Sequence, residues 1–261
     1  MDPITSVPDV FNQIEDLRSR KIIFFLDLDG TLVPIQEDYQ SVTVAEGTQK
    51  LLASLNTTPD RRVVIVSGRS PTFLEQHLGN RGIDFGAEHG GLFYDATTSS
   101  WLPLLPESDE PTYVQVKQEM EGAETLLPGS DVEEKSQSLA WHYRQANPSD
   151  TFIGSLITKL QTLVKGTKFS ILHGNKVIEA RLVGATKEAF IRWYLRKHES
   201  ELEGWYPIAI GDDRTDEDMF NAAAALGGLS IKVGDGQTAA KHRVANVTDV
   251  LEFLSRLATA V

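Results

Sequence analysis

Two clusters of acidic residues hold the most chemistry in this sequence. The first, Asp27-Leu28-Asp29-Gly30-Thr31, follows directly on the apolar run Ile22-Ile23-Phe24-Phe25-Leu26. The second, Gly211-Asp212-Asp213-Arg214-Thr215-Asp216-Glu217-Asp218, follows a run that ends at Ile210. If strand geometry persists past Leu26, a period of two aims Asp27 and Asp29 the same way. Unit charges ~4 Å apart repel by about 4 kcal/mol at an effective dielectric near 20, so the pair needs a cation, a shared proton or separation. Each cluster also has a purely structural reading, because Asp and Gly are common turn residues and acids at a helix start complement the helix dipole. That reading accounts for the acids near Thr215 better than for Asp212 and Asp213, which stand directly at a strand end. Two acidic strand ends in one sheet favour a hard-cation site, and oxygen donors with no cysteine or paired histidine favour Mg²⁺ over zinc.

In an open α/β sheet, ligands gather beyond the carboxyl ends of the strands, so the elements that carry these clusters matter. Val10, Ile14 and Leu17 mark a short helix, Ile22 to Leu26 a buried strand, and Leu51, Leu52 and Leu55 one helical face. Val63-Val64-Ile65-Val66 is a second buried strand, and Ser70-Pro71 opens a helix that Gly79 closes. Near the C-terminus, Thr186 to Leu202 carries Phe190, Ile191, Tyr194 and Leu195 at helical spacing, and Pro207 to Ile210 is a strand. Thr215 is expected to cap a helix running through Phe220, Ser230 to Val233 to form a strand, and Val250, Leu251, Leu254 and Leu257 to line a final helix. Such alternation predicts an α/β fold with a mostly parallel sheet covered by helices on both faces.

The middle of the chain has another rhythm. Tyr113, Val116, Met120, Ala123 and Leu127 step by three and four, followed by strand-like runs at Asp131 to Lys135 and Ser138 to Arg144. Pro148 opens a helix with Ile153, Leu156, Ile157, Leu160, Leu163 and Val164 on one stripe, and Phe169 to His173 with Lys176 to Arg181 form a hairpin around Gly174-Asn175. This is a self-contained unit inserted into the first. The expected division is 1–106 and 184–261 for the two parts of the core and 107–183 for the insertion. Within the insertion, alternation puts Glu133 and Lys135 on one face, joined by Ser138, His142 and Arg144 on the next strand and by Glu179 with Arg181 on the last. Leu139, Trp141 and Tyr143 take the opposite face and should pack on helices. A mixed-sign polar face can simply be solvated; three strands with paired acids and bases suggest a surface that hydrogen-bonds polyhydroxyl groups.

Composition narrows the classes. At 41% apolar and 24% charged the chain is globular rather than disordered. Lys and Arg total 25 against 37 Asp and Glu, a net charge of −12 that argues against nucleic acid and anionic membrane surfaces as partners. Zero cysteine removes disulfides, thiolate nucleophiles, Cys-ligated zinc and iron–sulfur clusters. The first twenty residues hold Asp2, Asp9, Glu15 and Asp16 and lack a basic start before an apolar block. The apolar runs fall short of the ~20 residues a membrane helix needs. A cytoplasmic monomer is the expectation.

Asp27-Leu28-Asp29-Gly30-Thr31, Ser67 at the end of the second strand, Lys187 at a helix start, and Gly211-Asp212-Asp213 with Asp216 resemble, in order, the four motifs of the haloacid dehalogenase-like phosphatase superfamily. The resemblance implies a Rossmann-like core with an inserted α/β cap. It makes Asp27 the nucleophile that forms an aspartyl-phosphate and Asp29 the acid and base, with Thr31, Ser67, Gly68, Arg69 and Lys187 around the phosphoryl group. It places Mg²⁺ on the Asp27 carboxylate, the Asp29 backbone carbonyl and Asp212, supported by Asp213 and Asp216. The physics agrees: a carboxylate attacks a phosphate ester only if its charge is masked, which a cation and Lys187 would do. A hydroxyl and backbone amides at Ser67-Gly68-Arg69, at a helix start, suit an anion.

Further stretches are similar to the trehalose-6-phosphate phosphatase branch: Phe25 to Ile35, Gly86-Ala87-Glu88-His89-Gly90, Val132-Glu133-Glu134-Lys135 with His142-Tyr143-Arg144, and Ile231-Lys232-Val233-Gly234. This likeness implies that Glu133, Lys135 and Glu179 grip a sugar, with His142 and Arg144 beside them, and that the cap closes to exclude water. Leu182 and Glu188 depart from the branch pattern, which has Pro and Gly there. Other sugar phosphates, such as sucrose 6-phosphate or a glucosylated glycerol or glycerate phosphate, stay open as substrates, as does a non-enzymatic protein that binds a sugar phosphate or is switched by phosphorylation at Asp27. Gly234-Asp235-Gly236-Gln237-Thr238-Ala239 fits a dinucleotide fingerprint, but too little chain follows for the required βαβ unit. His77, His173, His198 and His242 are scattered and read as surface or hydrogen-bonded residues.

Overall fold

The computed structural model describes residues 10–106 and 110–258. In chain order the elements are α1 (Ile14–Arg18), β1 (Ile22–Leu26), α2 (Glu46–Thr57), β2 (Arg61–Val66), α3 (Pro71–Leu78), β3 (Asp84–Ala87), β4 (Leu92–Asp95) and β5 (Ser100–Pro103). There follow α4 (Glu110–Leu126), β6 (Asp131–Glu134), β7 (Leu139–His142), α5 (Asp150–Leu163), β8 (Phe169–Gly174) and β9 (Val177–Leu182). The chain continues through α6 (Lys187–Lys197), β10 (Tyr206–Gly211), α7 (Asp216–Ala225), β11 (Leu229–Val233), β12 (His242–Val244) and α8 (Val247–Ala258).

Two compact units emerge. The first takes the chain to Ile35, Val42–Leu102 and the chain from Thr186 onward; the second takes Gln36–Ser41 and Pro103–Ala185. Joining Gln36–Ser41 to the second unit is a feature that periodicity does not carry.

The first unit is built on an eight-stranded sheet of order β12-β11-β10-β1-β2-β3-β4-β5. β1 pairs parallel with β10 and with β2, and β4 turns antiparallel against β3. All five residues of β1 are buried because helices cover both faces. Ile22, Phe24 and Leu26 pack with Leu52 and Leu55 of α2 and Phe253 and Leu254 of α8, while Phe25 meets Tyr194 of α6 edge-on at 5.9 Å. The mostly parallel α/β architecture is the one expected. β3, β4, β5 and β12 were not foreseen; they run three or four residues, too short to show a period. Ser70 caps α3 by accepting from Phe73 N–H, as its sequence indicates.

The second unit is a four-stranded sheet, β6-β7-β9-β8, under α4 and α5. Leu139, Trp141 and Tyr143 are buried with Val116 and Met120 of α4 and Leu156 and Leu160 of α5, so alternation assigned that face correctly. Ser149 rather than Pro148 caps α5, its side chain accepting from Phe152 N–H. The hairpin turns at Asn175-Lys176, because Gly174 pairs with Val177, and Lys176 takes the positive φ of 63°. Among the described residues no helix is long and apolar enough to cross a membrane.

Candidate active site

Within the first unit, both acidic clusters lie at the carboxyl ends of adjacent strands. β1 and β10 are parallel neighbours with Leu26 opposite Ile210, and Asp27 N–H still donates to the Ile210 carbonyl at 3.0 Å. Beyond Asp27 the strand ends. Thr31, Leu32 and Val33 all direct their N–H groups to the Leu28 carbonyl, winding the chain into a tight loop. Asp27 and Asp29 therefore do not share one face as a persisting strand would require. Arg69 takes Asp29 with a two-pronged grip, Nε to Oδ2 at 2.8 Å and a terminal nitrogen to Oδ1 at 2.6 Å, so Asp29 has a cationic partner of its own.

Asp27 is bound differently. Lys187, the first residue of α6, donates from Nζ to Asp27 Oδ1 at 2.5 Å and to Asp216 Oδ1 at 2.7 Å. Thr186 caps that helix through Ala189 N–H, fixing where Lys187 starts. Thr31 Oγ1 donates to Asp27 Oδ2 at 3.3 Å. Asp27, Lys187 and Asp216 are all nearly out of solvent, with exposures of 6%, 2% and 0%.

Among the described residues, the carboxylates close enough to share one ion are Asp27, Asp212 and Asp216, each offering an oxygen within 4.8 Å of the others. One ammonium faces three carboxylates, and the imbalance is visible in their acidity. Burial, reinforced by Asp216 and Asp212 and opposed by Lys187, pushes the Asp27 carboxyl well above the usual range. Burial, then Asp216 and Asp213, lifts Asp212 to about 7. Burial disfavours the Lys187 ammonium, but Asp216 and Asp27 outweigh it and the group is held charged. A hard divalent cation fits this donor set, all carboxylate oxygen with excess negative charge out of water.

Asp216, one of the three clustered carboxylates, also has a structural task. Its Oδ2 accepts from the Asp212 and Asp213 N–H groups at 2.8 and 2.9 Å, while its Oδ1 holds Lys187. The cap at the start of α7 is thus made by Asp216 turning back, and Thr215 makes no side-chain cap bond. Asp29 was expected to offer its backbone carbonyl to the cation, which leaves its carboxylate free to sit on Arg69, and Asp213, expected to support the site, is outside the group of three carboxylates. Two glycines make room. At Gly30, with φ of +80°, a Cβ would lie 2.1 Å from Asp212 Oδ2, and at Gly211 it would lie 2.2 Å from the Asp216 carboxyl carbon.

Ser67, Gly68 and Arg69 follow β2 at the same edge of the sheet. Leu26 is opposite Ile65 in the β1–β2 register, so Ser67 leaves the sheet at the same edge as Asp27. Ser67 Oγ accepts from Arg69 N–H at 3.2 Å, and Gly68 lies under the His89 ring. Glu88 and His89 hold left-handed backbone angles, φ 48° and 58°, while their N–H groups bind the Arg69 and Ser67 carbonyls at 3.1 and 2.9 Å. Sequence reasoning gave these two residues no task. It also missed Lys232, buried in β11, whose Nζ donates to the Asp212 carbonyl and, at 2.7 Å, to that of Val233. A lysine inside an apolar strand was the available signal.

In the second unit, Lys135, just past the end of β6, donates to Glu179 Oε1 at 2.9 Å and lies 3.8 Å from Glu133. His142 Nε2 is 2.9 Å from Glu133 Oε2. Ala140 of the intervening strand β7 is the register partner of both Glu133 and Glu179, so the residue between the two glutamates carries no more than a methyl. Glu133, Lys135, His142 and Glu179 thus come together. Arg144 does not join them and instead donates to the Asn175 carbonyl at the hairpin turn, 3.0 Å away. Of the two pattern departures, Leu182 is buried against the helices and Glu188 pairs with Arg192 on an exposed face.

The chain matches the family described as trehalose-phosphatase over residues 25–250. It is 35% identical over 244 residues to a bifunctional trehalose-6-phosphate synthase/phosphatase of Thermoproteus tenax, covering 92% of this chain and 32% of that protein. It is 28% identical to the trehalose-6-phosphate phosphatase of Escherichia coli, covering 100% of this chain and 92% of that one. The chain thus spans about a third of the first relative's length and nearly all of the second's. Among solved structures, the C-terminal domain of Candida albicans trehalose-6-phosphate phosphatase superimposes with a TM-score of 0.90 at 26% identity, over 100% of both chains.

Proposed function

The chain belongs to the trehalose-phosphatase family, and from that premise we propose that it hydrolyses trehalose 6-phosphate to trehalose and phosphate, with Mg²⁺, through an aspartyl-phosphate at Asp27. The observation that carries the reading is the Lys187 ammonium held between Asp27 and Asp216 beside Asp212, at the carboxyl ends of β1 and β10.

Asp27 and Asp212 would hold the Mg²⁺, with Asp216 fixing the Asp212 and Asp213 amides from behind. When bound, the ion masks the carboxylates and neutralises charge on the phosphoryl oxygens. Asp27 attacks phosphorus with a carboxylate oxygen as the bond from phosphorus to the sugar oxygen breaks. Asp29, taking part in its protonated form with one oxygen turned from the Arg69 fork, gives that proton to the departing alkoxide. Asp29, now ionised, takes a proton from water, whose oxygen attacks phosphorus and frees Asp27 and inorganic phosphate. The Arg69 fork sets the Asp29 carboxylate in place, and Lys187, Thr31 and the Ser67 hydroxyl surround the phosphoryl group.

The mixed-sign face of the second unit supports a polyhydroxyl ligand. Glu179 and Lys135 are a buried ion pair, with side-chain exposures of 5% and 7%, and such a pair offers both acceptors and donors to sugar hydroxyls. Measuring phosphate release from trehalose 6-phosphate with Mg²⁺ and with a chelator tests the reading. Release that needs Mg²⁺ and disappears in Asp27→Asn is expected; full activity of Asp27→Asn refutes the mechanism. A panel including sucrose 6-phosphate and glucosylglycerol phosphate, ranked by kcat/KM, tests the substrate.

A further inference from the structure

Tyr39 belongs to Gln36–Ser41, eight positions after Thr31 in the chain, yet that segment packs with the second unit. Its ring stacks on His142 with centroids 3.8 Å apart and planes 13° from parallel. Its hydroxyl donates to the Asp131 carboxylate, and Asp131 is the register partner of His142 across β6 and β7. One side chain thus covers one member of a cross-strand pair and hydrogen-bonds the other. Gln40 Nε2 reinforces the arrangement, 3.1 Å from the Tyr39 hydroxyl and 3.3 Å from the same Asp131 oxygen. Burial and the Asp131 bond push the phenol's acidity further from neutrality, so it remains a donor.

His142 passes the constraint on. With Glu133 ionised, Nε2 carries a proton and donates to Oε2 at 2.9 Å. Turning the imidazole away from Glu133 would break the Tyr39 stack. Glu133 neighbours Lys135, and Lys135 binds Glu179, so a continuous line of contacts runs from Tyr39 to the buried ion pair.

We propose that Tyr39 is a positioning residue for sugar recognition: by clamping His142 it fixes the Glu133 carboxylate to accept from hydroxyls of the sugar phosphate. This rests on the reading above, in which the polar face binds the sugar.

The experiment compares wild type, Tyr39→Ala and Tyr39→Phe on trehalose 6-phosphate and on p-nitrophenyl phosphate, which carries no sugar hydroxyls. Tyr39→Ala is expected to raise KM for trehalose 6-phosphate about fivefold to tenfold, the size of one lost aromatic pair, with kcat held within about twofold. Activity on p-nitrophenyl phosphate should stay within about twofold, which also shows that the variant folds. Tyr39→Phe keeps the ring and should restore KM to within about twofold of wild type. An unchanged KM in Tyr39→Ala, a parallel loss on both substrates, or a Tyr39→Phe variant as impaired as Tyr39→Ala overturns the proposal. Wild type that hydrolyses p-nitrophenyl phosphate and not trehalose 6-phosphate overturns the functional reading, and this inference with it.

Discussion

Replacing Asp216 by Asn removes one formal charge and one acceptor from a side chain that is fully buried and bonded on both oxygens. Oδ2 accepts from two backbone N–H groups, at 2.8 and 2.9 Å, and Oδ1 from the Lys187 ammonium at 2.7 Å. An asparagine can keep only one side. If its carbonyl stays on the amides, its NH₂ faces the ammonium donor to donor; if it turns to Lys187, two amides at the start of α7 lose their acceptor. The first arrangement costs less, because Lys187 retains Asp27 at 2.5 Å. Losing one charge-assisted bond costs about 1.5–3 kcal/mol, and the buried donor–donor contact adds to it, so about 3 kcal/mol of stability should go. In a chain of this size that is roughly a 6 °C fall in Tm. Relief of repulsion towards Asp212 acts in the opposite sense. It is smallest below the Asp212 midpoint of about 7, so the measurement belongs near pH 6. Thermal and urea unfolding of Asp216→Asn beside Asp213→Asn is the assay, with Asp213→Asn expected within about 0.5 kcal/mol of wild type. A Tm within about 1 °C of wild type for Asp216→Asn refutes the reasoning, since the buried Lys187 ammonium would then have lost nothing by the change.

Three further outcomes are expected. Asp212 has its folded-state pKa moved up from 3.8 to about 7, so the unfolded chain releases this proton first. The stability it confers is complete below about pH 4 and is lost as pH rises through 7; urea midpoints in chelator should fall over that window, while Mg²⁺ or Asp212→Asn should flatten the fall. Gly30→Ala places a Cβ 2.1 Å from Asp212 Oδ2 at φ +80°, and should cost about 2 kcal/mol or more by urea unfolding and weaken Mg²⁺ binding by calorimetry. Arg69→Lys keeps the charge but gives up the two-pronged grip on Asp29, so kcat should fall about tenfold or more with Mg²⁺ affinity unchanged.

How far the sequence disclosed this molecule differs by element. The acidic strand ends were visible because an apolar run meets Asp27 without an intervening turn, and again at Asp212; a buried strand cannot carry such residues inward. Lys187 was legible only by resemblance, since a lysine opening a helix has no spacing signature of its own. The distinct tasks of Asp27 and Asp29 were hidden. They depend on the chain leaving extended geometry at Leu28, where three N–H groups converge on one carbonyl, and on an arginine forty positions away. Thr215 was expected to cap α7 on residue type, but Asp216 already satisfies the orphan amides. Arg144 was assigned by alternation to a face it leaves, because β7 ends at His142. Tyr39 and Asp131, 92 positions apart, carry no pattern that links them.

Asp27 and Lys187 are 160 positions apart, which has a consequence for synthesis. A growing chain exposes the Asp27 loop long before its lysine exists, so the Asp27 carboxylate stays without its ammonium until α6 has left the ribosome. Closing a loop of that length costs entropy that grows only with its logarithm, and a second unit that has already folded on its own core shortens the effective span further. The three-carboxylate cluster is thereby timed to form late, and a chain arrested before Thr186 would carry the Asp27 carboxylate without Lys187 to hold it.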